Sequence, residues 1–141
     1  MSPASKLPAG IIFVLVPTIE FGGAFLLSLV SKRVPGYLDN PVRQALFRAG
    51  HAHAGVLVIL ALVGLLWVDQ TSLTEAGKAV ARWALFAAPL LVSAGFFFSV
   101  VPPKADHPNG LIALVYIGAA ALAAGVVLLG KGLLLGGAPQ P

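Results

Sequence analysis

Four side chains stand out in or beside the long apolar runs of the chain: Glu20, Arg48, His51 and His53. Imidazole binds iron, copper or zinc through either ring nitrogen, and a carboxylate can relay a proton or complete a metal's ligand set. A charged group at the centre of a membrane helix costs roughly 2.5–3.5 kcal/mol on insertion scales, so each is first read as functional. Glu20 lies near the middle of the first long apolar run, and Gly23, Ala24 and Leu27 follow on its helical face. That face is expected inside the bundle. There the carboxyl would either cement helices together, protonated or hydrogen-bonded, or serve proton transfer or metal ligation. Pro17, one turn earlier, frees a carbonyl and is expected to kink the helix beside it.

The second apolar run opens with Gly50-His51-Ala52-His53-Ala54-Gly55. Two steps along an α-helix turn the chain by about 200°, so the two imidazoles face nearly opposite ways and do not readily share one ion. His51 shares its face with Gln44, Arg48 and Gly55, and His53 with Leu46, Leu57 and Leu60, which makes His51 the expected inward residue. His53 is then left to a partner, a second cofactor or lipid. Arg48, almost one turn before His51, would pair with an acidic group such as a haem propionate or lipid headgroup; the alternative is that it snorkels to phosphate and anchors the helix. Weaker candidates are Tyr116, a hydroxyl on the histidine half of the fourth run; Ser93, one turn after Pro89; the flat wall of Gly95 to Phe98; and the loop pair Asp106-His107. Asp69 reads as interfacial.

These residues must be positioned by membrane helices. The chain is 58% hydrophobic and 10% charged, against about 25% charged residues in soluble domains. Its 141 residues leave room for several spans of about 20 residues and for no separate soluble domain. With no cysteine there is no disulfide, no thiolate metal site and no covalent haem attachment through C-x-x-C-H. The net charge of +4 clusters beside the apolar runs, where it sets topology and meets anionic lipid rather than nucleic acid.

Four apolar stretches, Ala9 to Val30, Ala49 to Val68, Val80 to Val101 and Leu111 to about Leu129, predict an all-α polytopic membrane protein. The expected form is a single domain over residues 1–141, a four-helix up-down bundle with helices at about 9–30, 41–68, 73–101 and 110–130. The first run is too long for an ordinary signal-peptide core and lacks a clear cleavage site, so it is expected to stay as helix one. Asn40-Pro41 supplies a cap and a first-turn proline for helix two, Ser72 and Glu75 have capping-box spacing for helix three, and Asn109 is placed to cap helix four. The tail after the fourth run is expected to be mobile. Gly118, Ala121 and Gly125 mark a close-packing face of helix four. Trp67 and Trp83 fall where interfacial anchors belong. Lys32, Arg33, Arg43, Arg48 and Lys104 lie toward one side and Lys6, Lys78, Arg82 and Lys131 toward the other. By the positive-inside rule the first loop is cytoplasmic and both termini are outside.

The His-x-His pair in a membrane helix resembles the catalytic subunit of haem-copper oxidases, where such a pair serves two haems on opposite sides of one helix. A complete oxidase needs further histidines, and this chain has only His107 besides. The whole pattern, with IEFGG in the first run, FRAGHAHAG in the second and SAGFFFSV in the third, resembles small bacterial four-span membrane proteins carrying a G-H-A-H-A-G motif. That resemblance implies a bacterial cell membrane and no particular reaction.

Three functions compete. In a redox-associated protein, His51, with His53 or a residue from a partner, would coordinate haem or a transition metal, with Arg48 and Tyr116 as further haem contacts and Glu20 as a further metal ligand. An accessory subunit would seat on a membrane-protein partner or on its own copies, and a proton or ion pathway would run past Glu20 and His51.

Overall fold

The computed structural model describes residues 1–136, and the expectation of a mobile tail falls beyond them apart from Gly136. Four helices, α1 (Pro3–Ser31), α2 (Pro41–Val68), α3 (Glu75–Phe98) and α4 (Ala113–Gly136), run up and down, with a 3-10 turn at Gly110–Ile112 leading into α4. All four are long and apolar enough to cross a membrane. Among the described residues there is no strand.

The helix starts have local causes. The Asn40 side chain accepts from the Arg43 N–H ahead of Pro41, as its type and position require. Asn109 caps the turn before α4 by accepting from the Leu111 N–H. At α3 the expected capping box on Ser72 is not used. Thr74 caps instead, accepting from the Gly77 N–H, and the helix starts at Glu75. The Ser72 hydroxyl and N–H both donate to the Gly132 carbonyl of α4, which takes Ser72 away from a capping role. Helix α1 begins well before the apolar run, at Pro3, because Ser2 caps it by accepting from the Ser5 N–H, and it continues as α-helix through Pro8 and Pro17.

Helices α3 and α4 pack most closely. A Cβ on Gly95 would stand 2.7 Å from the Val115 backbone nitrogen, and one on Gly118 would stand 2.9 Å from that of Val92. Only hydrogen at these positions lets the two backbones come together, so the small-residue face of α4 is a true contact face. A core of Ala9, Ile12, Val58, Ala61, Leu65 and Leu85 joins α1 to α2 and α3 near one end. At the other end Leu29, Tyr37, Phe47 and Val100 form a second cluster beneath the two connections of residues 32–40 and 99–109. Between these clusters α1 stands away from α3, and a cleft opens.

Candidate functional site

The cleft has a volume of about 660 Å³ and is walled by α1, α2 and α3, within the range of about 300–1,000 Å³ usual for cofactor and small-molecule sites. Its lining is mostly apolar, with Phe21 and Phe25 from α1, Phe47 from α2, and Phe97 and Phe98 from α3. Thr18, Arg43, His51 and Ser93 are its polar members.

Helix α2 contributes a stripe of Arg43, Phe47 and His51, each four residues from the next and therefore on one side of the helix. The His51 ring lies across from the glycine step of α1. A Cβ on Gly23 would stand 3.2 Å from the ring's Cε1 and Nε2, and one on Gly22 would stand 3.6 Å from Nδ1. The two bare glycines thus make the space that the imidazole occupies. No hydrogen bond to the His51 ring occurs among the described residues. His53, by contrast, faces another way: its Nδ1 is 2.7 Å from the Ala49 carbonyl, and its ring packs on Phe96 at 5.1 Å between centroids. The two histidines are on different faces, as their spacing predicts, and only His51 reaches the cleft.

Arg43 closes the cleft at the end with two connections. It is 9% exposed, and its guanidinium donates from Nε to the Val100 carbonyl at 3.1 Å, from Nη1 to Gly36 at 3.0 Å and from Nη2 to Val101 at 3.1 Å. It also lies over the Phe47 ring, 4.7 Å from the centroid. Carbonyls satisfy these donors, but among the described residues no carboxylate neutralises the charge, and donors remain free. Ser93 is the other unresolved group. Its buried Oγ has no hydrogen-bond partner among the described residues, so the bond to a carbonyl freed by Pro89 that the sequence suggested is not made.

Several expected site residues lie elsewhere. Glu20 is exposed on the outside of α1 and does not enter the bundle. The face it shares with Ala24 and Leu27 exists, but it is the outer face, because α1 packs through Ile12, Ile19 and the glycine step. Arg48 is also exposed. The cleft takes the row four residues before His51, and Arg48, three before, sits on the outer flank. The place expected of Arg48, on the same face as His51, is held instead by Arg43, two turns away, which the sequence marked only as a topology charge. Tyr116 is 72% exposed. It is two residues from Gly118, hence about 200° round from the face that packs on α3. His51, His53 and Glu20 do not gather, and among the described residues no three His, Asp or Glu side chains come together to hold a metal ion. Asp106 and His107 touch each other on the exposed loop with no third ligand.

A second polar cluster lies at the opposite end. Asp69, directly after α2, accepts from the Ser2 N–H and from the Ser2 and Ser5 hydroxyls, the latter two at 2.9 Å, and from Arg82 Nη2 at 2.8 Å. Arg82, 6% exposed, also donates from Nε to Ser5 Oγ at 2.8 Å. Partial burial pushes the Asp69 carboxyl up. The Ser2 N–H, Arg82 and the two serine hydroxyls outweigh that and hold it well below the ordinary carboxylate range. The sequence reading placed Asp69 at the interface and Arg82 among the topology charges. Together they are the clamp that fixes the start of α1.

Comparison of the chain with protein-family models, with curated proteins and with solved structures finds no match.

Proposed function

We propose that this membrane protein binds a flat, lipid-soluble, anionic cofactor in the α1–α2–α3 cleft, and that haem is the cofactor whose chemistry matches the lining. The observation that carries the reading is the α2 stripe: an unengaged imidazole, an aromatic face and a buried guanidinium without a carboxylate, in line along one wall of an apolar cleft. His51 would supply an axial nitrogen, Phe47 and the phenylalanines of α1 and α3 would enclose the ring, and Arg43 would meet a propionate with its free donors. Bound haem supplies one-electron chemistry, which makes the protein redox-associated. In the bacterial cell membrane the arginine end of the cleft would face the cytoplasm, with both termini outside.

The test is titration of the purified chain, in lipid nanodiscs, with hemin. A saturable, one-to-one absorption change is expected, lost in His51→Ala and kept in His53→Ala. Gly23→Val, which fills the space beside the imidazole, should disturb the spectrum while leaving the helices intact. No saturable binding by the wild-type chain, or the same spectrum from His51→Ala, would sink the proposal.

A further inference from the structure

Helix α1 carries an outward seam that the bundle does not use. Phe13, Pro17, Glu20, Ala24, Leu27 and Ser31 follow one another at alternating steps of four and three residues, and every one is exposed. Phe13 is 64% and Leu27 67% exposed. These steps keep all six positions on one face of the helix, along which a second helix can lie. Glu20 is at the centre of this seam and near the middle of α1, so in a membrane its carboxyl would face hydrocarbon. Lipid covers the apolar positions well and the carboxyl badly. The seam therefore calls for an occupant that brings a polar group to that depth.

We propose that the occupant is a second copy of this chain, joined to the first along the α1 seam by a twofold axis parallel to the membrane normal. All copies insert in one direction, and such an axis sets equal depths face to face, so Glu20 meets Glu20 of the second copy. A carboxyl group is complementary to itself: each carries an O–H donor and a C=O acceptor, so two that face each other exchange a reciprocal pair of hydrogen bonds and neither is left unpaired in lipid. Pro17 and Ala24, on either side of Glu20, are small enough to let the two backbones approach, and the larger Phe13 and Leu27 flank them. The cleft opens on the other side of α1, through Thr18, Phe21 and Phe25, so the seam and the cleft are separate surfaces and the pairing stands independently of the cleft's ligand.

The chain has no cysteine, which allows a clean cross-linking scan. Single changes Phe13→Cys, Ala24→Cys and Leu27→Cys should form disulfide-linked pairs in bilayers, while Val14→Cys, about 100° off the seam, should not. Förster transfer between labelled full-length chains, followed across protein-to-lipid ratios, gives the affinity. Glu20→Leu should weaken pairing about tenfold, and Glu20→Gln, whose amide also pairs with itself, should retain it. Because position 20 is exposed, both variants should keep the fold, checked by circular dichroism. A wild-type chain that stays monomeric, cross-linking equal at positions 14 and 24, or loss of pairing in Glu20→Gln as large as in Glu20→Leu would each overturn the proposal. A monomeric wild type would point instead to a basic group on a different membrane protein.

Discussion

Arg82 and Arg43 are buried to a similar degree near opposite ends of the bundle, and their charges are handled differently. Arg82 meets the Asp69 carboxylate at 2.8 Å, with the Ser5 hydroxyl completing the contact. Arg43 meets the carbonyl oxygens of Gly36, Val100 and Val101 and the face of Phe47, and among the described residues no carboxylate. The first arrangement is closed: cation, anion and hydroxyls satisfy one another, and it binds α1 to α2 and α3. The second leaves a positive charge beside an apolar cleft, which is the electrostatic setting of a site for an anion. Burial of an arginine is thus no guide to its role; what terminates its charge is.

The contrast can be broken most forcefully at the closed end. Asp69→Ala leaves the buried Arg82 guanidinium with only the exposed Glu75 carboxylate, 4.0 Å away, and is expected to cost about 3 kcal/mol. Thermal unfolding in detergent would measure this, and adding Arg82→Met should recover most of the loss. A single variant as stable as the wild type would show that the clamp does not hold the bundle. At the open end, Arg43→Met removes a cation with no anion to strand. It should cost stability only about 1–2 kcal/mol, through the carbonyls left unpaired, while weakening hemin binding about tenfold. Isothermal titration and unfolding on the same preparation separate the two effects, and equal losses of stability in Arg43→Met and Asp69→Ala would erase the distinction.

Acid should sharpen the comparison further. The folded Asp69 carboxyl titrates below its unfolded value of about 3.9. Its contribution is therefore fully present above that value and is lost as pH falls below about 4 toward the lower folded value. Stability measured from pH 7 to 5 should not register Asp69, and a decline below pH 4 should be smaller in Asp69→Ala than in wild type. The smallest expected effect is at Ser93. Since its hydroxyl has no partner, Ser93→Ala should change unfolding by no more than about 0.5 kcal/mol. A large loss there would mean that the hydroxyl is engaged after all.

The spans were legible because backbone groups in lipid must be paired within the helix, and runs long enough to do so are rare by chance. Asn40 and Asn109 were legible because capping is local. Ser72 was misread because its hydroxyl is taken by Gly132, sixty residues on, and spacing within a loop cannot register a remote acceptor. Glu20 was misread for a different reason. Small neighbours mark a face suited to close packing, but sequence does not say whether the partner lies in the same chain. Half of the site was readable in principle: Arg43, Phe47 and His51 are four apart, and following that row rather than the nearer Arg48 finds the wall of the cleft. The clamp left only Ser2 and Ser5 as a trace, and no local pattern joins them to Asp69 or Arg82.

The glycine contacts between α3 and α4 also set an order of disassembly. Gly95 and Gly118 interlock those two helices backbone against backbone, whereas α1 rests on side chains, through Ile12, Ile19 and the His51 ring against its glycine step, and borders the open cleft. Under mild denaturant the α3–α4 hairpin should be the last part to exchange its amide hydrogens, and α1 the first to lift away. The piece that detaches most easily is also the wall of the cleft, so a hydrophobic guest could enter sideways from the bilayer, through a transient parting of α1, without ever crossing water.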